Sequence, residues 1–326
     1  MKFMLDIRID EPEKKIGYED GILMVGSCFT EHIGDSLTSL KFSVLQNPHG
    51  ILFDPHSTAA AVTSYIENKK YSKENLIYLN ELWQSWQHHS RFSGIDAEVV
   101  LNHINESQET AYRFLKNAKW LIVTLGSSFS YRLTNNQPVA NCHRAPGDWF
   151  SKYMMRTDEI ITEWDTCIYR LFQFNPDIRV IFTVSPVRHA RDGIVENNRS
   201  KARLIEAVHH LAEKFDRIYY FPAYELVIDV LRDYRFYDVD LVHPNYQATS
   251  FVIEKFMNHF VDEQAMQLSR EIEKIMIARK HKPFQPNTDA HRRFLKTHAE
   301  KARQLMRQHP HLDLNEEIDY FEAGTN

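Results

Sequence analysis

The sequence predicts a doubly wound α/β fold built on one parallel sheet. Short apolar runs, rich in β-branched and aromatic residues, recur along the first 260 residues. Such unbroken runs are typical of strands that are buried on both faces. Amphipathic stretches with helical periodicity separate the runs. Strands that alternate with helices in this way favour a parallel sheet with helices on both sides.

The predicted elements follow each other in chain order. The candidate strands are 22–26, 42–45, 120–125, 179–184 and 218–221. The candidate helices lie between and after them, at 30–40, 58–68, 107–118, 158–174, 200–215 and 246–260. Gly26, Gly126 and Ser185 each follow the carboxyl end of a strand. Because ligands of such sheets bind outside these ends, the site is expected there.

Two stretches break the alternation. Residues 131–141 contain an Asn135-Asn136 turn between apolar flanks and predict a small hairpin. Beyond about residue 262 the chain is charged and helix-prone, at 263–280 and again at 289–308. We therefore expect an α/β domain over residues 1–261 and a helical C-terminal extension over 262–326, whose Arg and Lys residues form a solvated helix face.

Composition bounds the classes of function. The chain has 326 residues, 43% of them hydrophobic, which is enough for a sizeable core. A net charge of −5 gives no electrostatic reason to expect a nucleic-acid or membrane-surface partner. No apolar run approaches the roughly 20 residues that span a bilayer. The charged N-terminus and three sparse cysteines favour reduced thiols in a cytoplasm. The sequence does not indicate the oligomeric state.

The first strand ends in Gly26-Ser27-Cys28-Phe29, a turn that carries two candidate nucleophiles. A sharp strand-to-helix turn exposes a nucleophile and aims helix-start N–H groups at a developing oxyanion. A helix N-terminus also lowers the pKa of a thiol. Cys28 is the first choice and Ser27 the second. The alternative is a tight turn with a buried thiol, since a free cysteine often serves as a small core residue.

Asp240-Leu241-Val242-His243, after the last strand, is the candidate base. Asp240 can reach the imidazole across one turn and fix its tautomer, which leaves His243 to act as general base. We expect Cys28 and His243 to lie within hydrogen-bonding reach, or one water apart, at the carboxyl edge of the sheet. The alternative is a helix start with an exposed Asp and His.

The tetrapeptide Gly34-Asp35-Ser36-Leu37 spells a known esterase signature, but it follows no strand. It falls inside the amphipathic pattern of the first helix, where Ser36 is one helical side chain among many. A nucleophile in mid-helix lacks the exposed turn, so Ser36 is not expected to react.

Further candidates surround the same sheet edge. The Gly50 N–H follows the second strand and is a candidate oxyanion donor, and Asn141 is another. Candidate substrate-binding residues follow later strands or lie in loops, and their alternatives are ordinary turns or aromatic packing: Gly126, Ser127, His143, Arg188 and His89. Arg188 is of a type that holds a carboxylate or phosphate. No metal site is expected, because the spacing of ligands is not recognisable.

At these residues the chain resembles the GSCFA-domain proteins, a family similar to the SGNH/GDSL hydrolases. The matching runs occur in order over roughly residues 20–260: Gly-Ser-Cys-Phe at 26–29, Asn-Pro-His-Gly-Ile at 47–51, Asn-Cys-His at 141–143, Val-Ser-Pro-Val-Arg-His at 184–189, Ser-Lys-Ala at 200–202, Phe-Pro-Ala-Tyr-Glu at 221–225 and Asp-Leu-Val-His-Pro at 240–244. The resemblance implies a three-layer α/β/α, SGNH-hydrolase-like fold and an acyl-ester active site without a cofactor.

The resemblance to the SGNH pattern has gaps. Ser27 stands where that pattern has an Asp, and Cys28 stands where it has the serine nucleophile. Gly50 fits the second block of the pattern. The third block usually offers an Asn, but residues 126–128 contain none. Either Asn141 replaces it or the oxyanion hole is incomplete.

Together these features predict an esterase or acyltransferase for a small, acetyl-like group on a carbohydrate or other polar metabolite. A cysteine nucleophile favours transfer through a thioester, so the expected partner is a small-molecule acyl ester or thioester. The rival prediction is a non-catalytic binding protein on the same fold. The missing third-block Asn favours the rival, and the intact Asp240–His243 pair favours the enzyme.

Overall fold

The computed structural model describes residues 4–323 and has the predicted mixed α/β architecture. Its strands are β1 (Ile22–Gly26), β2 (Val44–Gln46), β3 (Ile77–Leu79), β4 (Leu82–Gln84), β5 (Trp120–Leu125), β6 (Phe129–Leu133), β7 (Pro138–Val139), β8 (Phe150–Met154), β9 (Arg179–Val184) and β10 (Ile218–Phe221). The central sheet is parallel, in the order β10-β9-β5-β1-β2. Strands β3 and β4 pair as a hairpin, and β7-β6-β8 form a small antiparallel sheet.

Helices cover the central sheet and continue to the C-terminus. They are α1 (Cys28–Ser39), α2 (Pro55–Ile66), α3 (Ala97–Asn117), α4 (Thr157–Phe174), α5 (Ile194–Lys214), α6 (Ala223–Glu225), α7 (Tyr246–Phe260), α8 (Glu263–Lys280), α9 (Asp289–Gln308) and α10 (Asn315–Ala323). A π-helical turn, Leu226–Leu231, continues α6. None of the helices within residues 4–323 has the length and apolarity needed to cross a membrane.

The sheet separates two apolar layers, as the alternation of strand side chains requires. Leu23 and Val25 of β1 face one layer, which they share with α2, α3, α4 and α5. Ile22 and Met24 face the other, which they share with α1, α6, α7 and the start of α8. All five β1 residues are buried, so both layers lie on this strand. The result is a three-layer α/β/α arrangement.

The strand order sets the position of the site. Counted within the main sheet alone, the order is 2-1-3-4-5, one of the two common doubly wound orders. The crossover through α1 packs on one face, and the crossover through α2 and α3 packs on the other. The topological switch point therefore lies between β1 and β5, where such folds open a crevice at the carboxyl ends. Gly26 and Gly126 occupy those ends.

Several predicted boundaries were wrong. The second strand is Val44–Gln46 rather than 42–45, because Phe42 turns into the core after α1. The first helix begins at Cys28 rather than at Thr30, so the candidate thiol is itself the first helical residue. The predicted 131–141 hairpin is present as β6 and β7, but β8 adds a third strand to it.

The C-terminal helices pack on one of the two apolar layers. Leu268 and Ile272 of α8 belong to the same apolar cluster as α1 and α7. Later helices form a separate small core around Phe321. Glu317 of α10 is fully buried, and its carboxylate contacts Arg279 at 2.6 Å and Lys41 at 3.0 Å. An ion pair thus joins the extension to the turn that follows α1.

Candidate active site

The turn after β1 depends on a glycine. Gly26 has φ +148°, and a Cβ built there would lie 2.2 Å from the Thr124 carbonyl oxygen of β5. The Gly26 N–H donates to Asn47 Oδ1 at 2.9 Å, and the Ser27 N–H donates to the Thr124 carbonyl at 3.1 Å. The turn is therefore fixed from both neighbouring strands, and it delivers Ser27 and Cys28 to the switch point.

The two candidate nucleophiles have different surroundings. The Ser27 side chain is only 1% exposed, and within residues 4–323 its hydroxyl has no hydrogen-bond partner. Cys28 is partly exposed at the first position of α1. Burial raises the pKa of the Cys28 thiol, and the Glu31 carboxylate adds to this, while the Phe29 N–H and the Lys201 charge oppose it. Only Cys28 is open to a substrate in this conformation.

Asp240 and His243 are hydrogen-bonded to each other on the loop before α7. His243 Nδ1 lies 2.6 Å from Asp240 Oδ2, and Asp240 Oδ1 accepts the N–H groups of Val242 at 2.9 Å and His243 at 3.0 Å. These bonds, first the His243 N–H and then its ring, lower the pKa of Asp240 to about 2. The carboxylate is thus ionised at neutral pH, and the Nε2 atom of His243 is left without a bond among the residues described.

The pair reaches the sheet edge through the loop after β9. The Arg188 N–H donates to the Val242 carbonyl at 3.3 Å. Burial, followed by the charge of Lys201, lowers the pKa of His189 to about 4, and His243 contributes in the same direction. Within residues 4–323, however, no hydrogen bond joins Cys28 to His243. Of the two arrangements that the sequence predicts for this pair, the direct bond is not formed in this conformation.

His243 also borders a large cavity. The cavity has a volume of about 1250 Å³ and lies between α1, α7 and α8. His32 and Asp35, which follow Cys28 along α1, line the same wall. A solute in this cavity would contact both His243 and the helix that begins with Cys28. Ser36 also borders it, within the helix as predicted.

Gly50 is held in a turn rather than presented to solvent. Its φ is +81°, and its N–H donates to the Asn47 carbonyl at 2.7 Å. In this conformation that N–H is not available to an oxyanion. The His89 N–H donates to the His49 carbonyl at 2.8 Å, so His89 packs directly against this turn. His89 is half-buried, and burial lowers the pKa of its imidazole.

Gly126 and Ser127 serve the packing of the edge. Both N–H groups donate to the Phe53 carbonyl, at 2.8 and 3.0 Å. The Ser127 hydroxyl lies 3.2 Å from that of Ser200 on α5, which also accepts the Ser128 N–H at 2.7 Å. These groups are buried and mutually satisfied. Their placement at the edge agrees with the sequence prediction, but they face inward.

Asn141 and His143 lie in a different cavity. Asn141 Oδ1 accepts the His143 N–H at 2.9 Å, and His143 Nε2 lies 2.7 Å from the Ser85 carbonyl. Both line a space of about 500 Å³ against the β4 region. Neither bonds to the turn at Cys28 among the described residues. No group of three or more His, Cys, Asp or Glu within 4–323 is arranged to hold a metal ion.

Lys201 is the site residue that the sequence interpretation missed. It is 1% exposed, and its ammonium donates to the carbonyls of Gly126 at 2.6 Å and Ser185 at 2.5 Å. These carbonyls end β5 and β9, beside the Cys28 turn. Burial lowers the pKa of Lys201 to about 7, although the charge of a Cys28 thiolate would raise it. Its spacing in the sequence indicates burial, because Lys201 lies on the same buried face of α5 as Leu204 and Val208.

Two protein-family models match the sequence. The GSCFA family model matches residues 21–256, and a model described as the GSCFA domain protein, C-terminal domain, matches residues 272–326. No curated protein sequence matches the chain.

Two solved structures are distantly similar. A carbohydrate esterase family 3 protein from Talaromyces cellulolyticus is 10% identical, with 77% of this chain and 99% of that chain covered and a TM-score of 0.36. A family 3 carbohydrate esterase from Clostridium thermocellum is 11% identical, with 77% and 97% covered and a TM-score of 0.33. These likenesses are too distant to support a conclusion about the reaction of this chain.

Proposed function

This chain belongs to the GSCFA family, and from that premise we propose that it hydrolyses or transfers a small acyl group. Cys28 is the proposed nucleophile, His243 the general base and Asp240 the residue that orients the base. The Asp240–His243 pair is the observation that carries the proposal. Its carboxylate is held by two backbone N–H groups and the imidazole Nδ1, so the free Nε2 is ready to accept a proton.

The proposed reaction has two halves. The Cys28 Sγ attacks the acyl carbonyl while His243 Nε2 accepts the thiol proton. The tetrahedral oxyanion then collapses, the C–O bond of the ester breaks, and His243 returns the proton to the departing alcohol. Water, or an acceptor hydroxyl, attacks the thioester with His243 again as base. The products are a free acid or a new ester, and Cys28 regains its proton.

A small closing movement is part of this proposal, because His243 and Cys28 do not bond directly in the open conformation. His243 is 46% exposed in its side chain, and it stands on a loop with Leu241 in a left-handed conformation. Such loops often bring a base to its nucleophile only when substrate is bound. The N–H groups of Cys28 and Phe29 at the start of α1 are the proposed oxyanion donors. Gly50 and Asn141 would add donors only after their present bonds open.

The test is turnover of short-chain acyl esters and acyl thioesters by the full chain. Cys28→Ala is expected to abolish turnover and any trapped thioester, while Ser36→Ala serves as the matched control on the same helix. Intact turnover in Cys28→Ala would contradict the nucleophile. If Ser36 were the nucleophile, Ser36→Ala would lose turnover and Cys28→Ala would keep it.

A second candidate is a ligand-binding protein without catalysis. Two observations favour it: the Gly50 N–H is engaged with Asn47, and burial raises the pKa of the Cys28 thiol. If no acyl ester or thioester is turned over but one is bound in the cavity beside His243, this second function is the correct one.

A further inference from the structure

A buried lysine at the carboxyl edge of the sheet lacks a counter-ion. Two backbone carbonyls accept two of the three ammonium hydrogens of Lys201. No carboxylate within residues 4–323 forms an ion pair with it, although the side chain is 1% exposed. A buried charge is costly unless it is paired, so an anion nearby would stabilise the ammonium form of a lysine in this position.

The candidate for that anion is Cys28. Gly126, whose carbonyl holds the ammonium, packs directly on Ser27: a Cβ built on Gly126 would lie 3.3 Å from the Ser27 Cβ. Cys28 is the next residue and begins α1. An electrostatic attraction couples the two groups, since the Lys201 charge lowers the pKa of Cys28 and a Cys28 thiolate raises that of Lys201.

The other charged groups around the pair act differently. Glu31, one turn along α1, disfavours a Cys28 thiolate. Arg188, on the loop after β9, disfavours the ammonium, and the Lys201 charge in turn disfavours protonation of His189. Tyr224 of α6 presents its ring 6.0 Å from Lys201 Nζ. Among these groups, Cys28 alone is an anion source that Lys201 attracts.

We propose that Lys201 is a positioning residue whose fixed ammonium stabilises the thiolate of Cys28. The benefit of a stabilised thiolate rests on the proposed function, but the experiment that tests the inference does not require that function. A Cys28 thiolate raises the pKa of Lys201, which burial lowers to about 7. When the Cys28 thiol gives its proton to His243 or to solvent, the ammonium form of Lys201 is therefore favoured and supplies the neighbouring positive charge. The same charge stabilises the thiolate again when the thioester is cleaved and Cys28 is the leaving group.

Alkylation of Cys28 tests this without any substrate. The full-length protein is treated with iodoacetamide over a range of pH, and the modified peptide is quantified by mass spectrometry. Only the thiolate reacts, so the midpoint of the profile reports the thiol pKa. Lys201→Gln keeps an N–H donor for the two carbonyls but removes the charge, and Lys201→Met removes both. In each, the Cys28 midpoint should rise by about one pH unit or more, with about tenfold slower alkylation near neutral pH.

Controls are available within the chain. Lys214→Met removes an exposed lysine from the same helix and should leave the Cys28 profile unchanged. Cys142 is also partly buried, and burial raises its pKa to about 11, so its profile is an internal reference in every sample. In the unmodified chain, Cys28 should be alkylated at lower pH than Cys142. This comparison needs no variant, and a Cys28 midpoint at or above that of Cys142 would count against the inference even if both Lys201 variants fail to fold.

The outcomes separate the two proposals. An unchanged Cys28 profile in folded Lys201→Gln, or a Cys28 midpoint at or above that of Cys142, overturns the role of Lys201. If the profile shifts but Cys28→Ala retains turnover, Lys201 acts as inferred and the proposed reaction is wrong. If Cys28→Ala abolishes turnover and the profile does not shift, the reaction stands without Lys201.

Discussion

At the scale of single residues, Asp240 decides whether the imidazole has one defined tautomer. Its carboxylate receives two backbone N–H groups and the ring Nδ1, and its pKa falls to about 2. A group with a depressed native pKa loses its contribution only as pH falls through that value. Asp240 therefore remains charged, and holds His243, at every pH where esters are conveniently assayed.

Asp240→Asn should lower kcat/KM for a short-chain ester by at least about 10²-fold, because the amide no longer fixes the Nδ1–H tautomer. The melting temperature should change little, since the pair is half-exposed. Steady-state kinetics and thermal unfolding on the same samples measure the two effects. Equal turnover in Asp240→Asn and the unmodified chain would remove Asp240 from the role of orienting the base.

Ser27 and Cys28 offer a contrast between burial and reactivity. Ser27→Ala removes a buried hydroxyl that has no partner within residues 4–323, so stability should stay constant or rise by about 1 kcal/mol. Turnover should stay within a few-fold. Cys28→Ala should remove turnover, and combining it with His243→Ala should add little, because the two act as one unit. Denaturant unfolding and ester turnover of Ser27→Ala and Cys28→Ala measure the effects on stability and on activity. Lost turnover in a stable Ser27→Ala protein would make Ser27, not Cys28, the nucleophile.

At the scale of elements, the sequence predicted the buried strands better than the helix starts. Strands β1, β5, β9 and β10 have the predicted bounds because each is an unbroken apolar run between polar residues. The helix after β4 was predicted from 107 but begins at Ala97, capped by Asp96. Val100 and Ile104 of its first turns already lie on the buried face that continues to Ala111 and Leu115, so the apolar spacing was present and the prediction missed it. The Asp54-Pro55 start of α2 was likewise signalled by capping chemistry rather than by apolar spacing.

The same distinction applies to the site. Turn and loop residues such as Cys28 and His243 are visible in sequence because short motifs carry them. Lys201 is not, since a lysine on an amphipathic helix normally points to solvent. Only its register with the buried stripe of α5 predicts burial, and only the folded strand ends supply its acceptors. Hydrogen bonds that engage the Gly50 N–H also depend on a turn geometry that the sequence does not specify.

Two stacked imidazoles under the turn after β2 predict acid sensitivity. His49 and His88 stack at 4.1 Å, and the ring nitrogens of His49 lie 2.9 and 3.1 Å from the hydroxyls of Tyr65 and Tyr71. Burial lowers the pKa of His49 to about 3 and also lowers that of His88. Between the unfolded value near 6.5 and that lower value, the unfolded chain binds more protons, so stability falls on acidification.

The free energy of unfolding should therefore decrease by about 1.4 kcal/mol per pH unit for each such histidine well below pH 6.5. Urea unfolding between about pH 7 and pH 4.5 measures this slope. His49→Gln should reduce the slope, whereas His210→Gln, at an exposed position of α5, should not. A slope that is the same in all three proteins would contradict the assignment.

At the scale of the molecule, the extension is bound to the main core. The predicted division into an α/β domain over 1–261 and an extension over 262–326 implies that a chain cut near Val261 keeps its sheet. The structure gives a different expectation, because the cut removes Leu268 and Ile272 from the cluster that covers α1 and α7. Each such loss costs roughly 2–5 kcal/mol in a well-packed core, against about 5–15 kcal/mol for a whole domain.

A chain ending at Val261 should therefore lose cooperative unfolding and bind an apolar dye, while one ending at Lys280 should unfold cooperatively at a lower temperature. Glu317→Gln is the milder test of the same contact. It removes the charge that Arg279 and Lys41 share, at a cost of roughly 1.5–3 kcal/mol. Calorimetry of all three measures these effects, and a full-length melting profile in the shorter truncation would show the extension to be independent.

The order of the candidate site residues along the chain also determines when each of them is synthesised. Cys28 leaves the ribosome more than two hundred residues before His243, and at about 5–20 residues per second that interval is about 10–40 s. A chain synthesised as far as β5 contains β1, both of its partner strands and the Cys28 thiol. It has neither the ammonium of α5 nor the imidazole of the last loop. The proposed nucleophile therefore lacks both of these groups until translation of the α/β region is nearly complete.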